Sequence, residues 1–326
     1  MLLESFEAQY AARAKINLSL HIEGSRPDGY HELSSLMTTI GLSDRLRFCL
    51  FLRGAQDEKR AWQMNSDSTE IPLEGDNLCF KAAELFFEAV GIEQEMLHLE
   101  IHLDKIIPVA AGLGGGSADA AATLRFLWSA WHAGLASSFG LDKKRIDKET
   151  LLQIALRSGA DVPFCIEGGT RFCQGVGEIM SPPLIAPSWP ILIAKPVAQV
   201  RTVWAFTQLD QMREEKALSA PGEPAASFDT WRDAFESGDP AALIPLISND
   251  FEDVLSSQIP QIAELLDAMR QRDAFTVSMT GTGPTCFSLF LSEKERDRAF
   301  QSLSAAMPEV RWFKTALSSF LDPLEG

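Results

Sequence analysis

Cysteine is scarce in this chain and unpatterned. Cys49, Cys79, Cys165, Cys173 and Cys286 are odd in number and widely spaced, with no CxxC pair among them. A disulfide framework and a cysteine zinc site are thereby excluded, and free thiols in a reducing cytosol are expected. Positive charge is short as well: 29 Lys and Arg stand against 45 Asp and Glu, a net charge of -16. No basic run forms a patch, which argues against a nucleic-acid partner. No apolar run reaches membrane-spanning length. The N-terminus MLLESFEAQYAARAKINL carries Glu4 and Glu7 and lacks both an apolar signal core and an arginine-rich transit character. A cytoplasmic chain without membrane contact is the expectation. Internal repeats and low-complexity tracts are absent too.

What the chain does have is concentrated in residues 104 to 123, DKIIPVAAGLGGGSADAAAT. The segment before it, LHLEIHLD (97 to 104), alternates as a strand does, while Ala120, Leu124, Leu127, Trp128, Trp131 and Leu135 follow helical spacing. Between strand and helix lie Gly112, Gly114, Gly115 and Gly116. Four glycines let backbone N–H groups approach a ligand without Cβ interference, and the free donors of the helix start point the same way. A nucleotide polyphosphate is the anion this cradle suits. Gly116 is followed by Ser117 with no lysine, so a Walker A loop is ruled out, and no register gives GxGxxG. Without a ligand, the entropy cost of so many glycines has nothing to offset it.

At 326 residues the chain suits two lobes. The first reads as strands at 14 to 22, 34 to 40 and 45 to 52, a polar stretch over 53 to 75, and a helix over 78 to 90. Asp76 or Asn77 caps that helix and Gly91 ends it. The proline-rich stretch 181 to 190 reads as a hinge, followed by the strand ILIAKP. Beyond an exposed loop at 213 to 227 come helices near 228 to 237, 239 to 248 and 258 to 271. The C-terminal part reads as strand, TGTGP turn, strand, and a helix opened by a Ser292/Glu295 capping box. Helices and strands alternate irregularly, which favours an α+β fold over a doubly wound sheet.

Four further segments carry polar groups. In AKINLSLHI, Ile16, Leu18, Leu20 and Ile22 fall on one face and Lys15, Asn17, Ser19 and His21 on the other. That second face is either the wet side of an ordinary strand or part of a site. RPDGYHEL (26 to 33) is a tight turn presenting Tyr30 and His31, an aromatic and an imidazole able to hold a base. In SGADVPF, Gly159 ends a helix and Pro163 disfavours a helical Val162, pinning Asp161 in a short turn. It either caps backbone N–H groups or faces a ligand. TGTGPT (280 to 285) is a glycine hairpin. His98 and His102 have the spacing of a helical metal pair, but on a strand they stand about 13 Å apart and cannot share an ion. Asp119 suits the start of its helix yet would repel a triphosphate unless Mg²⁺ intervened, and its role stays open.

Pro108, Gly112 and Leu113 are in register with PxxxGLxSSAA, and the whole constellation resembles the GHMP small-molecule kinases. The GGGS variant and RPDGYHEL resemble one branch, the kinases of 4-diphosphocytidyl-2-C-methyl-D-erythritol in isoprenoid-precursor synthesis. Galactose, homoserine and mevalonate kinases lack RPDGYHEL. The resemblance implies a two-lobed α+β fold: an ATP-binding lobe (1 to 172) and a substrate lobe of ferredoxin-like character (173 to 326), with the site between them. It implies Mg²⁺-ATP as donor and the erythritol 2-hydroxyl as acceptor. Pro108, Val109, Ala110, Ala111, Gly112, Leu113, Gly114, Gly115, Gly116, Ser117 and Ala118 would form the phosphate loop. Lys15 and Asp161 would be catalytic, and unit charges about 4 Å apart attract by roughly 4 kcal/mol at an effective dielectric near 20. Asn17, Tyr30, His31, Thr202 and Phe206 would hold substrate. No direct protein ligand to the metal is implied, and the oligomeric state is left open. The alternatives are another GHMP kinase, of the mevalonate or homoserine type, or a non-catalytic relative that senses a ligand.

Overall fold

The computed structural model describes residues 5–27, 29–52, 62–140, 146–215 and 225–318. Two long strands, β1 (Ser5–Ser25) and β2 (His31–Leu52), form an antiparallel pair broken by irregularities between Arg13 and Lys15, Asn17 and Ser19, and Ile22 and Gly24. The strands expected at 34 to 40 and 45 to 52 are thus one continuous strand. Its far end pairs with β4 (Leu97–Asp104), and its near end pairs with β5 (Thr170–Gly175). Outside β4 lies β3 (Trp62–Ser66), an unexpected strand inside the polar stretch. β6 (Ile179–Met180) extends the sheet beyond β5. A boundary after residue 172 falls within β5, and the sheet runs on to Met180.

Helix α1 (Leu78–Val90) starts on Asn77, whose Oδ1 accepts from the Cys79 N–H at 3.0 Å, and ends on left-handed Gly91. It packs beside α2 (Gly115–Ala130) over one face of the sheet. After a π-helical turn and α3 (Ala136–Ser138) come α4 (Lys148–Ser158) and α5 (Val162–Glu167). Val162 is the first residue of α5 and not extended, a correction to the expected turn. Pro163 sits in the first helical turn, where its missing N–H has no intrahelical partner to lose.

The remainder builds a second, four-stranded antiparallel sheet. β7 (Pro190–Lys195) leads into α6 (Thr202–Glu215), α7 (Phe228–Ser237) and α8 (Pro240–Leu243). The helix expected over 239 to 248 stops early. A 3₁₀ turn follows α8, and β8 (Ser248–Asn249) crosses back to pair in parallel with β1. The chain continues through α9 (Asp250–Gln258), α10 (Pro260–Arg270), β9 (Thr276–Met279), β10 (Cys286–Leu289), α11 (Glu293–Ala306) and β11 (Arg311–Ala316). The order β11-β7-β10-β9 is a ferredoxin-like βαββαβ arrangement with an enlarged first helical connection. The Ser292/Glu295 capping box is present at the start of α11. Of the loop expected at 213 to 227, residues 213 to 215 close α6, and residues 216–224 lie outside the described residues, as do 53–61 of the polar stretch.

The two sheets share a core. Ile16, Leu18, Leu36 and Ile40 of the first pack with Ile191, Ile193, Phe287 and Leu289 of the second. This shared core buries the apolar face of β1, and the opposite, polar face is covered separately, by Gly114, Ser35 and Thr280 among others, so that Lys15, Asn17 and Ser19 are buried too. The wet-strand alternative is excluded. All five cysteines are free. Among the described residues, no helix is long and apolar enough to cross a membrane.

Candidate active site

The interruption of the β1–β2 ladder at Lys15 coincides with a hydrogen bond from its backbone N–H to the Leu113 carbonyl at 3.0 Å. That bond ties β1 to the glycine loop. The Lys15 side chain then runs past Gly114, where a Cβ would stand 2.9 Å from Lys15 Cγ. Gly114 is also left-handed, at φ +67°, so both the turn and the lysine require glycine here. At its tip, Lys15 Nζ donates to Asn17 Oδ1 at 2.8 Å and lies 3.3 Å from Asp161 Oδ2. Asn17 is fixed in turn: its amide donates to Ser35 Oγ at 2.8 Å and its backbone N–H to Thr280 Oγ1 at 2.9 Å.

Asp161 is the residue before α5 but caps none of its N–H groups. Its side chain is 35% exposed, enough to face both Lys15 and the cleft. The capping alternative raised by the sequence is thereby excluded.

Glycines of the loop divide into two kinds. At Gly112, φ is +72° and a Cβ would lie 2.6 Å from the Thr280 carbonyl oxygen; at Gly281 it would lie 3.1 Å from the Gly112 carbonyl oxygen. The TGTGPT turn therefore packs backbone to backbone on the loop. Gly115 and Gly116 differ. A Cβ at Gly115 would meet Ile107 Cγ2 at 2.9 Å and Lys105 Nζ at 3.2 Å, and at Gly116 Leu78 Cδ1 at 3.4 Å. Gly115 thus allows close packing of the helix start on the protein, while Gly116 has room for a methyl group, a correction to the expectation that all four clear the way for a ligand. The intrahelical ladder begins with Ala118 N–H to the Gly114 carbonyl at 2.8 Å, so the N–H groups of Gly115, Gly116 and Ser117 precede it. Of the eleven expected loop residues, Gly112, Gly114 and Ser117 line the cleft. Pro108, Ala111, Leu113 and Ala118 are buried, Val109 is half-buried, and Ala110 is exposed with φ +50°.

Beneath the loop lies a buried charge cluster that sequence reasoning missed. Lys105 Nζ donates to Asp44 Oδ2 at 2.5 Å and Asp119 Oδ2 at 2.6 Å. Asp44 Oδ1 accepts from the backbone N–H groups of Ile106 and Ile107 at 2.5 and 2.7 Å, fixing the entry to the loop. Asp119 Oδ1 has no hydrogen-bond partner among the described residues. Burial, reinforced by the neighbouring Asp44, pushes the Asp119 carboxyl up to about 7 against the pull of Lys105. Burial alone would lower the Lys105 pKa; the Asp119 and Asp44 carboxylates outweigh it and hold the ammonium above the ordinary lysine value. Asp119 thus faces Lys105, inward from the cleft.

The cleft, about 580 Å³, is lined by residues from every motif singled out in the sequence: Lys15, Asn17, Tyr30, His31, Gly112, Gly114, Ser117, Asp161, Thr202, Phe206 and Gly281. Tyr30 is 61% exposed at its lip. His31 stacks on Phe206, with centroids 4.4 Å apart, and Thr202 Oγ1 lies 3.3 Å from Thr282 Oγ1. Thr202 and Phe206 stand on the first turns of α6. Asp210, on the next turn, also lines the cleft and went unnoticed in the sequence. His21 lies away from Lys15, bonded to Ser248 Oγ at 3.0 Å and beside Asp250. His98 and His102 stand on β4 on either side of Glu100. No group of three or more His, Cys, Asp and Glu suited to a metal ion occurs among the described residues.

The chain matches the GHMP kinases N terminal domain over residues 77–169 and the GHMP kinases C terminal domain over residues 231–309. It is 36% identical to a 4-diphosphocytidyl-2-C-methyl-D-erythritol kinase of Synechococcus sp., over 93% of this chain and 92% of that one. It is 37% identical to the kinase of the same name from Geobacillus kaustophilus, over 92% and 93%. A crystal structure of 4-(cytidine 5'-diphospho)-2C-methyl-D-erythritol kinase superposes with a TM-score of 0.72 at 29% identity, covering 95% of this chain and 99% of that one. The chain belongs to the GHMP kinase family and, within it, to the branch of the 4-diphosphocytidyl-2-C-methyl-D-erythritol kinases.

Proposed function

We propose that this enzyme transfers the γ-phosphoryl group of ATP to the 2-hydroxyl of 4-diphosphocytidyl-2-C-methyl-D-erythritol, a step in isoprenoid-precursor synthesis. The observation that carries this reading is the Lys15–Asp161 pair, 3.3 Å apart, in one cleft with the phosphate loop and with Tyr30, His31 and Phe206.

Phosphoryl transfer asks a protein chiefly for in-line positioning and charge stabilisation. Asp161 orients the acceptor hydroxyl and takes its proton, and Lys15 Nζ neutralises charge on the transferred oxygens. Asn17 helps to hold Lys15 in place by accepting from its Nζ at 2.8 Å. The N–H groups at the start of α2 and the Ser117 hydroxyl receive the donor's phosphates. The 61% exposed ring of Tyr30 offers a stacking face to the cytosine.

The Ser117 hydroxyl, an oxygen donor of the cleft beside the glycine loop, suits a Mg²⁺ ion that would be held chiefly by the nucleotide's own phosphates. Asp119 does not fit that role, because it is buried and bonded to Lys105. When bound, the ion supplies charge neutralisation on the phosphates. Five free thiols suit a reducing cytoplasm. Incubation with ATP and the cytidyl substrate tests the reading: phosphorus and carbon NMR should show a new monophosphate ester at C2, and an ester elsewhere, or none, would contradict it.

A further inference from the structure

His31 begins β2, and its imidazole is held on two sides by α6. One face stacks on Phe206 at 4.4 Å and 26°, and Phe206 is itself braced edge-on by Phe251 at 4.9 Å and 84°. Nε2 lies 3.1 and 3.2 Å from the two carboxylate oxygens of Asp210. Phe206 and Asp210 are four residues apart on a helix, so one face of α6 supplies both the stacking ring and the carboxylate. A carboxylate only accepts, so the proton of the neutral imidazole resides on Nε2 and Nδ1 is left as an acceptor. The His31 side chain is 13% exposed and lines the cleft, as Asp210 does.

We infer that Asp210 is a positioning residue that fixes the His31 tautomer and thereby makes the cleft select a pyrimidine bearing an exocyclic amine over one bearing a carbonyl. Cytosine presents an N4 amine donor where uracil presents an acceptor. A ring nitrogen locked as an acceptor meets the first with a hydrogen bond and the second with opposed lone pairs. Sites built on such a bond reject the mismatched analogue far more strongly than apolar pockets reject a change of size. Losing Asp210 frees the ring to take either tautomer, and the discrimination goes with it. The inference rests on the reading of this cleft as the cytidyl site.

Kinetic constants for the cytidyl substrate and its uridyl counterpart, measured in the wild type, Asp210→Asn and Asp210→Ala, test it. The wild type should prefer the cytidyl compound by at least about tenfold in kcat/KM. Asp210→Ala should lower the uridyl KM about tenfold, because the freed ring can then donate to a carbonyl, with kcat, the ATP KM and the cytidyl KM changed no more than a few-fold. Asp210→Asn retains an oxygen acceptor for Nε2–H and should keep most of the preference. Nitrogen NMR of the imidazole should show Nε2–H in the wild type and a mixture of tautomers in Asp210→Ala, and the same spectra report the fold. Undiminished base preference in Asp210→Ala, with the wild type active on the cytidyl substrate, overturns the inference alone. A wild type that phosphorylates neither compound overturns it together with the reading of the cleft.

Discussion

Gly114 and Lys15 interlock: a Cβ on Gly114 would stand 2.9 Å from Lys15 Cγ and 3.2 Å from its Cε. The glycine loop and Lys15 therefore share one steric solution. Gly114→Ala should impose a left-handed alanine, at about 1–2 kcal/mol, and push Lys15 from Asp161. Misplacement of a reacting group on this scale costs about 10²-fold in rate. Gly116→Ala, whose Cβ would meet only Leu78 at 3.4 Å, is the control and should keep near-normal turnover. Steady-state kcat of the two variants checks this, and equal activity would contradict the interlock.

Gly115→Val addresses the second kind of loop glycine. Its branched side chain would drive into Ile107 and Lys105 and not into the cleft. Overpacking of this sort costs about 1–3 kcal/mol. A lowered midpoint of thermal unfolding is expected, and a selective loss of ATP affinity at unchanged stability would place the side chain on the wrong side.

Stability should depend on pH through Asp119. Its folded-state pKa of about 7 lies above the unfolded value of 3.8, so the folded chain holds a proton there that the unfolded chain releases. That contribution is complete below about pH 4 and is lost as pH rises to about 7. Denaturation of the wild type and Asp119→Asn across this range should show the wild type losing stability relative to the variant, with no further divergence above pH 7. Parallel curves would contradict the raised pKa.

Tyr30→Ala should leave stability intact, since the ring is 61% exposed. Stacking of a base on an aromatic ring is worth roughly 1–3 kcal/mol. KM for the cytidyl substrate should rise about tenfold or more while the ATP KM holds, and titration of each separately decides it.

The motifs that were legible in the sequence owe their form to local chemistry. Gly112 and Gly114 mark left-handed turns, the alternation of Ile16 to Ile22 marks a strand, and Asn77 and Ser292 mark helix starts. What escaped is non-local. Lys105 meets Asp44 across 61 positions and His31 meets Asp210 across 179, and neither partner belongs to a pattern of its own. The strand at Trp62–Ser66 does alternate, with Trp62 and Met64 buried, but it is short and sits in polar surroundings. The face bearing Lys15 and Asn17 stayed ambiguous in the sequence because what covers it is distant along the chain: Gly114 and Asp161 for Lys15, and Thr280 for Asn17.

The most direct measurement is coupled ADP release by the wild type and Asp161→Asn with the cytidyl-erythritol substrate, mevalonate and homoserine in turn. General-base contributions are typically about 10² to 10⁴ in rate. Turnover of the cytidyl compound alone is expected, reduced by that order in Asp161→Asn with its KM preserved. Equal turnover of an alcohol lacking cytosine, or near-normal activity in folded Asp161→Asn, would contradict it.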